Sequence, residues 1–152
     1  MLTKIFKLIC LIIFLNSCSK KEAVYIPSEK VDPYQIYQEG IAAFEGNDLF
    51  YASKKFSEAE LNFDRSEFAA KSAIMASFSL YGINFYDQAI ENLQRYLKTY
   101  PKDTNVIYAH YLIAIIYYEQ ISDEKKDLEP LLSANKKIDF FLKKYPDTEY
   151  AL

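Results

Sequence analysis

The sequence predicts an all-α protein, a solenoid of repeated helical hairpins. From residue 33 onward, apolar residues recur at intervals of three and four, and no alternation of apolar and polar residues is long enough for a strand. The small and aromatic residues of these segments recur at a fixed spacing along the chain. Turn residues are scarce, with three glycines among 152 residues. These observations favour packed helix pairs over any fold that contains a sheet.

The first eighteen residues are typical of an export signal. Lys4 and Lys7 form a short basic start, and residues 8–15 are an uninterrupted apolar run. As a helix this run spans about 12 Å, far less than the roughly 30 Å of a bilayer core. It therefore suits a cleaved signal peptide better than a membrane span. The sequence Leu-Asn-Ser-Cys that ends at Cys18 resembles the lipobox of bacterial lipoproteins.

This resemblance implies that cleavage removes residues 1–17 and that Cys18 carries a covalent lipid. Ser19, in place of an aspartate, favours the outer membrane over retention at the inner one. Since Cys10 is removed with the signal, no disulfide and no cysteine-based metal site are expected. The polar residues 18–32 are predicted to form a flexible, lipidated tether. An ordinary signal peptide with a chance cysteine remains the alternative.

The charge of the chain bears on its partners. The formal net charge of −3 becomes −5 when Lys4 and Lys7 leave with the signal peptide. An acidic protein of this kind is a poor match for nucleic acid, so no nucleic-acid partner is expected. The remaining residues are sufficient for one domain with a sizeable core.

The repeated spacing within residues 33–152 is that of the tetratricopeptide (TPR) repeat. Such a repeat has a small residue on its first helix, and an alanine, a large apolar residue and another residue, usually small, on its second. In a repeat that begins at Pro33 these positions hold Gly40, Ala52, Phe56 and Ala59. In a repeat that begins at Ala70 they hold Ser77, Ala89, Leu93 and Tyr96. A third repeat has Ala134, Ile138 and Phe141 on its second helix. We expect three repeats and the start of a fourth.

The connections between the helices follow the same plan. Residues 46–48 and 82–84 fall between paired helices, where residues that tolerate a left-handed conformation are needed. The segment before each new repeat also recurs, since residues 63–69 match residues 145–151 position by position, and residues 100–109 match them with three extra residues. The predicted N-caps are Ser66, Thr104 and Thr148. In the third repeat the helices are expected at about 104–121 and 131–145, separated by a charged insert.

Several phrases are more specific than a generic repeat. They are Tyr-x-x-Gly at residues 37–40, Asp-Gln-Ala-Ile at 87–90, Arg-Tyr-Leu-Lys-Thr-Tyr-Pro at 95–101, Asn-Val-Ile-Tyr-Ala-His-Tyr-Leu at 105–112 and Tyr-Tyr-Glu-Gln-Ile at 117–121. With the lipobox, these phrases resemble the BamD family (also called ComL or YfiO) of the outer-membrane β-barrel assembly machinery. Lys126-Asp127-Leu128 departs from the Arg-Asp-Gln that the family tends to have there.

The resemblance implies an outer-membrane lipoprotein on the periplasmic face, a non-catalytic scaffold that binds unfolded outer-membrane protein segments. Its implied partners are the Omp85-type barrel subunit and other assembly lipoproteins. The family usually has five repeats, so the chain is expected to be short of the C-terminal ones, which contact the barrel subunit. Another periplasmic TPR lipoprotein, such as a secretin pilotin or an adaptor for cell-wall enzymes, remains the alternative.

TPR arrays bind peptides in a groove lined by the first helix of each hairpin. Large rings in such a groove suit an extended, partly apolar peptide. The predicted groove residues are Tyr34, Tyr37, Ile41, Phe44, Ile74, Phe78, Tyr81, Tyr108, Tyr111 and Tyr118. For any one of the tyrosines, packing between helices is the alternative.

No pattern in the sequence indicates catalysis. His110 is the only histidine, with no Glu-x-x-His spacing and no glycine-rich phosphate loop elsewhere. We therefore expect no enzyme activity, no catalytic residue, no metal site and no cofactor other than the covalent lipid on Cys18. The absence of tryptophan also counts against a sugar-binding surface.

Overall fold

The computed structural model describes residues 32–121 and 128–151. Six α-helices occupy these ranges: α1 (Pro33–Glu45), α2 (Leu49–Asn62), α3 (Ser66–Gly82), α4 (Tyr86–Thr99), α5 (Val106–Glu119) and α6 (Glu129–Lys144), followed by a 3-10 turn at Glu149–Ala151. The two ranges contain no strand, and the predicted all-α fold is confirmed. The predicted signal peptide, Cys18 and nearly all of the tether lie outside the described residues.

The helices pack in chain order. The main contacts join α1 to α2, α2 to α3, and so on to α6. Three hairpins result: hairpin 1 (α1 and α2), hairpin 2 (α3 and α4) and hairpin 3 (α5 and α6). Each hairpin rests on its neighbour along the chain, which is the packing of a repeat solenoid.

The residues that define the repeat lie in the core. Ala59 of α2, Tyr96 of α4 and Phe141 of α6 occupy corresponding places, and all three are at most 3% exposed. Gly40 of α1 packs directly on Phe56, since a Cβ at Gly40 would lie 2.8 Å from Cδ1 of that ring. A small residue at this position therefore lets the two helices of hairpin 1 approach each other closely.

The turns inside hairpins 1 and 2 are where the sequence predicts them. Left-handed backbone occurs at Asn47 and Asn84, each with φ of 61°, whereas Gly46 has φ of −75°. Asparagine is among the non-glycine residues that adopt this conformation most readily. The glycines are thus not the residues that turn the chain.

The predicted N-caps Ser66 and Thr104 are wrong, whereas Thr148 directly precedes the 3-10 turn. Ser66 is already the first residue of α3, and Thr148 Oγ1 donates to the carbonyl of Tyr145 at 3.0 Å. Before α5, the carboxylate of Asp103 accepts from the backbone N–H of Asn105 at 2.9 Å, and Asn105, not Thr104, occupies the N-cap position that directly precedes the helix. The helices of hairpin 3 accordingly begin and end one or two residues away from the predicted positions.

Hairpins 1 and 2 are joined through their second helices by an ion pair whose carboxylate is buried. The Arg95 guanidinium of α4 donates to both oxygens of Glu60 of α2, at 2.6 and 2.7 Å. The hydroxyl of Tyr100 donates to Glu60 Oε1 at 3.0 Å. The Glu60 side chain is only 5% exposed and that of Arg95 is 44% exposed. Bidentate pairing of this kind fixes both the distance and the orientation of the two helices.

In residues 32–121 and 128–151, no helix combines the length and the apolar character needed to cross a membrane.

Candidate functional site

A row of aromatic rings runs across the first helices of the three hairpins. Phe44 of α1 lies 5.9 Å from Phe78 of α3, measured between ring centroids. Phe78 lies 6.5 Å from Tyr108 of α5, and Tyr108 lies 5.8 Å from Tyr150 in the 3-10 turn. These separations are those of ring pairs in contact. These partly buried rings therefore form a continuous row that spans every described hairpin.

Two further tyrosines widen this row. Tyr81 lies 5.9 Å from Phe78, and Tyr111 lies 6.3 Å from Tyr108 and 4.9 Å from Tyr150. Residues three apart lie side by side on one face of a helix, which places each added ring next to its partner. We call the set the aromatic row: Phe44, Phe78, Tyr81, Tyr108, Tyr111 and Tyr150.

Two phenols of the aromatic row, those of Tyr81 and Tyr108, have raised pKa values. The carboxylate of Glu119 accepts a hydrogen bond from Tyr81 at 2.7 Å and another from Tyr86 at 3.1 Å. The bond to Glu119 is the main cause that raises the pKa of Tyr81 to about 12. Burial is the main cause that raises the pKa of Tyr108 to about 12. At these two positions the row therefore offers flat apolar rings with uncharged hydroxyl groups.

An apolar cleft of about 270 Å³ lies at one end of the row, between α5, α6 and the 3-10 turn. Tyr111 and Tyr150 belong to both the cleft and the row, and Tyr118, Phe141 and Leu142 line the rest of it with smaller neighbours. Tyr118 is 60% exposed and Leu142 is 43% exposed, so this apolar lining reaches solvent.

The structure divides the predicted groove residues into three groups. Five of them lie in the aromatic row, namely Phe44, Phe78, Tyr81, Tyr108 and Tyr111, and Tyr118 lies in the adjoining apolar cleft. Tyr34 and Tyr37 form a separate cluster with Phe63 near the start of hairpin 1. Ile41 packs against the core beside Phe56.

Ile74 does not line the groove. It is 7% exposed and belongs to the core between hairpins 2 and 3, so the prediction of it as a groove residue is not retained. It is four residues from Phe78 on the same stripe of α3, but it belongs to the buried cluster that α3, α4 and α5 form together. Aliphatic residues on this stripe fill the core, while the rings reach its edge.

Two residues of the site were missed by the sequence reasoning. Tyr150 corresponds to Tyr108 in the segment that recurs before each repeat, and this correspondence is the signal that could have identified it. Glu119 is 38 residues away from Tyr81, and no sequence pattern links them.

His110 lies among rings and not in a polar site. Its ring is 5.2 Å from that of Phe140 and 5.7 Å from that of Tyr145. Burial, followed by the nearby positive charges of Lys144 and Lys137, lowers its pKa. Within the described ranges, no group of three or more potential metal-ligating side chains is found.

A solenoid of helical hairpins with TPR spacing and a ring-lined face on its first helices defines a TPR-type repeat protein. Comparison with known families narrows this class. The family model described as "YfiO: Outer membrane lipoprotein" matches residues 29–152, and the chain belongs to that family. The predicted family is thus confirmed.

Two relatives carry the name outer membrane protein assembly factor BamD. The protein from Caulobacter vibrioides is 32% identical over 116 residues, which is 76% of this chain and 38% of the relative. The protein from Rickettsia prowazekii is 27% identical over 154 residues, which is 99% of this chain and 60% of the relative. The chain therefore spans between about two fifths and three fifths of the length of these relatives.

Proposed function

We propose that the chain is a lipoprotein subunit of an outer-membrane β-barrel assembly machinery, held at the periplasmic face of the outer membrane. The family match and the name shared by the two relatives support this role. Within it, the chain acts as a non-catalytic scaffold. Its partners are an Omp85-type barrel subunit, other assembly lipoproteins and unfolded outer-membrane proteins.

The aromatic row is the observation that carries the binding part of this proposal. Its rings offer apolar area together with hydroxyl groups, and that combination suits an extended peptide of mixed polarity. The strands of outer-membrane barrels alternate apolar and polar residues and are flanked by aromatic residues at the membrane interfaces. A strand laid along the row can place a terminal aromatic side chain in the apolar cleft beside Tyr118 and Leu142.

A peptide-binding measurement tests this role. The probe is a synthetic ten-residue strand of alternating apolar and polar residues that ends in phenylalanine, labelled at its amino end and followed by fluorescence anisotropy. Tyr118→Ala removes an exposed ring from the cleft and should weaken binding about tenfold, as expected when a well-packed interface tyrosine is truncated. Tyr118 is 60% exposed, so its loss should leave the fold intact.

Tyr51→Ala is the matched control. Tyr51 is 44% exposed but lies on α2, away from the aromatic row, and its loss should leave the affinity unchanged. Equal affinities of the Tyr118 and Tyr51 variants would contradict the proposal. So would equal binding of a probe whose terminal phenylalanine is replaced by serine.

The lipid anchor needs its own test. We propose that Cys18 carries the covalent lipid, the only non-protein group that the function requires. Cys18→Ala should abolish incorporation of radiolabelled palmitate and release the protein from the membrane fraction of a bacterial host. Continued labelling of this variant would remove Cys18 as the anchor and leave the peptide-binding proposal untouched.

A further inference from the structure

A second cleft, of about 230 Å³, lies between the second helices of hairpins 2 and 3. Its apolar floor consists of Leu97 of α4, Ile113 of α5 and Phe140 of α6. Two lysines of α6, Lys136 and Lys137, and the ring of His110 stand around it. We call it the lysine-rimmed cleft. It shares no residue with the aromatic row or with the apolar cleft, so its role can be tested independently of the proposed function.

The repeat register shows what this cleft replaces. Glu60 follows Ala59 and Leu97 follows Tyr96 at the same repeat position, so Leu97 stands where hairpin 1 has Glu60. By the same register Phe140 stands where hairpin 2 has Arg95. The ion pair that closes the first junction is therefore absent from the second, and the place of its two charged groups is taken by apolar side chains that leave a cleft.

The rim of the cleft carries positive charge without a counterion. Among the described residues, neither Lys136 nor Lys137 takes part in an ion pair with a carboxylate, and the ammonium group of Lys137 lies 6.0 Å from the centre of the Tyr117 ring. Lys144, one turn beyond Phe140, places its ammonium group 5.2 Å from the centre of that ring. In a chain of net charge −3, this concentration of cations on α6 is a local exception. A carboxylate is the group that is missing here compared with the first junction.

We propose that the lysine-rimmed cleft binds an acidic segment of a partner protein, with one large apolar side chain of that segment seated on Leu97, Ile113 and Phe140. The carboxylates flanking that side chain pair with Lys136 and Lys137. Burial of the apolar side chain supplies affinity, and the lysines supply orientation and a faster encounter. The floor is recessed at Ile113, which is 3% exposed, and open to solvent at Phe140, which is 44% exposed. This shape suits a single inserted side chain better than a flat membrane surface.

His110 is a convenient reporter, because it is the only histidine in the chain and it lines the cleft. The experiment uses the full chain labelled with carbon-13 at histidine and records the imidazole resonances by NMR. The probe is a blocked five-residue peptide with phenylalanine between two pairs of acidic residues. Saturable shifts of the His110 resonances are expected, and raising the salt concentration from about 0.05 M to about 0.5 M should weaken the binding because the ionic contacts are screened.

Two peptides and two variants sharpen the test. Replacing the central phenylalanine by alanine, or the acidic residues by lysines, should remove the saturable shift. Lys136→Glu should weaken binding about fivefold, since one ion pair at a protein surface is worth up to about 1 kcal/mol. Lys143→Glu is the control, because Lys143 is exposed on the same helix but does not line the cleft, and less than a twofold change is expected.

The outcomes that overturn the proposal are equally definite. Equal shifts from the acidic and the lysine peptide, or no saturable shift at millimolar concentration, would refute it without any variant. A last measurement replaces the peptide with vesicles that contain phosphatidylglycerol. If they broaden the His110 resonances while the acidic peptide has no effect, the cleft recognises a lipid surface and the proposal fails.

Discussion

The two junctions between successive second helices solve the same packing problem with different chemistry. At the first junction, Glu60 is 5% exposed and is held by the guanidinium of Arg95 and the hydroxyl of Tyr100. At the second, Leu97 and Phe140 take the corresponding positions and a cleft remains between the helices. The first helices use rings at both junctions, with Phe44 against Phe78 and then Phe78 against Tyr108.

This difference shows that the interactions which hold neighbouring second helices together are not the same at the two junctions. A bidentate ion pair fixes two helices at one distance but leaves a costly charge if either partner is lost. Apolar side chains carry no such penalty, and they leave surface for another molecule. We infer that the first junction serves rigidity and the second serves binding.

The largest expected effect comes from breaking the first junction. Glu60→Ala leaves Arg95 and Tyr100 without their acceptor and should lower the free energy of unfolding by about 3 kcal/mol, the lower end for a buried pair because Arg95 is 44% exposed. Urea unfolding followed by circular dichroism measures the loss. A loss below about 1 kcal/mol would show that the ion pair does not secure the junction.

A double variant serves as the matched control for that experiment. Glu60→Leu with Arg95→Phe installs the residues of the second junction in the first. Since a buried pair can be exchanged for apolar residues at little cost, stability should return to within about 1 kcal/mol of the native protein. Failure to recover would mean that the ion pair has no apolar substitute at this junction.

The next largest effect concerns the contact between the two helices within one hairpin, which we expect to be closer in hairpin 1 than in hairpin 2. In Gly40→Ala, the added methyl group would lie 2.8 Å from the ring of Phe56, so either this buried ring or the two helices of hairpin 1 must shift. We expect a loss of about 1–2 kcal/mol, in spite of the gain of nearly 1 kcal/mol from helix propensity. Ser77, at the corresponding position of hairpin 2, is the comparison. Ser77→Ala removes only a local hydrogen bond to the carbonyl of Ala73 and should cost less, and the opposite order would contradict the close approach at Gly40.

A smaller effect concerns the polar contact between first helices. Glu119 raises the pKa of Tyr81 to about 12, above the usual value of 10.0. A raised tyrosine pKa means that the folded state favours the neutral phenol. The stabilisation is therefore complete below pH 10 and is lost as the pH rises from 10 towards 12. Ultraviolet absorbance of the phenolate follows this titration.

Glu119→Gln provides the test of that contact. It should lower the pKa of Tyr81 towards 10 and reduce the free energy of unfolding at neutral pH by no more than about 1 kcal/mol. Asp87→Asn, in the first turn of α4 and exposed, should leave the titration unchanged. Identical titration curves for both variants would show that Glu119 does not hold the hydroxyl of Tyr81.

The smallest effect is expected at the second junction. Lys136→Glu should change the free energy of unfolding by less than about 0.5 kcal/mol, because Lys136 is exposed and has no ion-pair partner among the described residues. Thermal unfolding measures this directly. A loss above 1 kcal/mol would mean that the lysine secures hairpin 3, and that the second junction serves stability after all.

Much of the fold could be predicted because the repeat fixes core positions. Ala52, Phe56 and Ala59 are all fully buried, as their places in the repeat require. The first residues of the helices were harder to predict from the sequence. Before α5, for example, the side chain of Asp103 accepts the backbone hydrogen bond that was expected for Thr104. Several capping side chains are available in that loop, and the sequence does not show which one reaches the backbone N–H group.

The candidate site was predictable only in part. Phe78 and Tyr81, and likewise Tyr108 and Tyr111, follow from their spacing on one helix face. Ile74 shares that spacing but lies in the core, because burial depends on the rotation of α3 against α4, which periodicity alone does not define. The repeat register shows that Glu60 and Leu97 occupy the same position. Only the packed structure shows that Glu60 pairs with Arg95 and that Leu97 borders a cleft. The lipid on Cys18 stays a prediction.

The packing of each helix on its neighbours in the chain also has a kinetic consequence. Since the main contacts join consecutive helices, only short loops must close before stabilising contacts form. Proteins with such local contacts fold rapidly, and solenoids can begin at one hairpin and extend outward. Hairpin 2, packed on both sides, is the natural starting point.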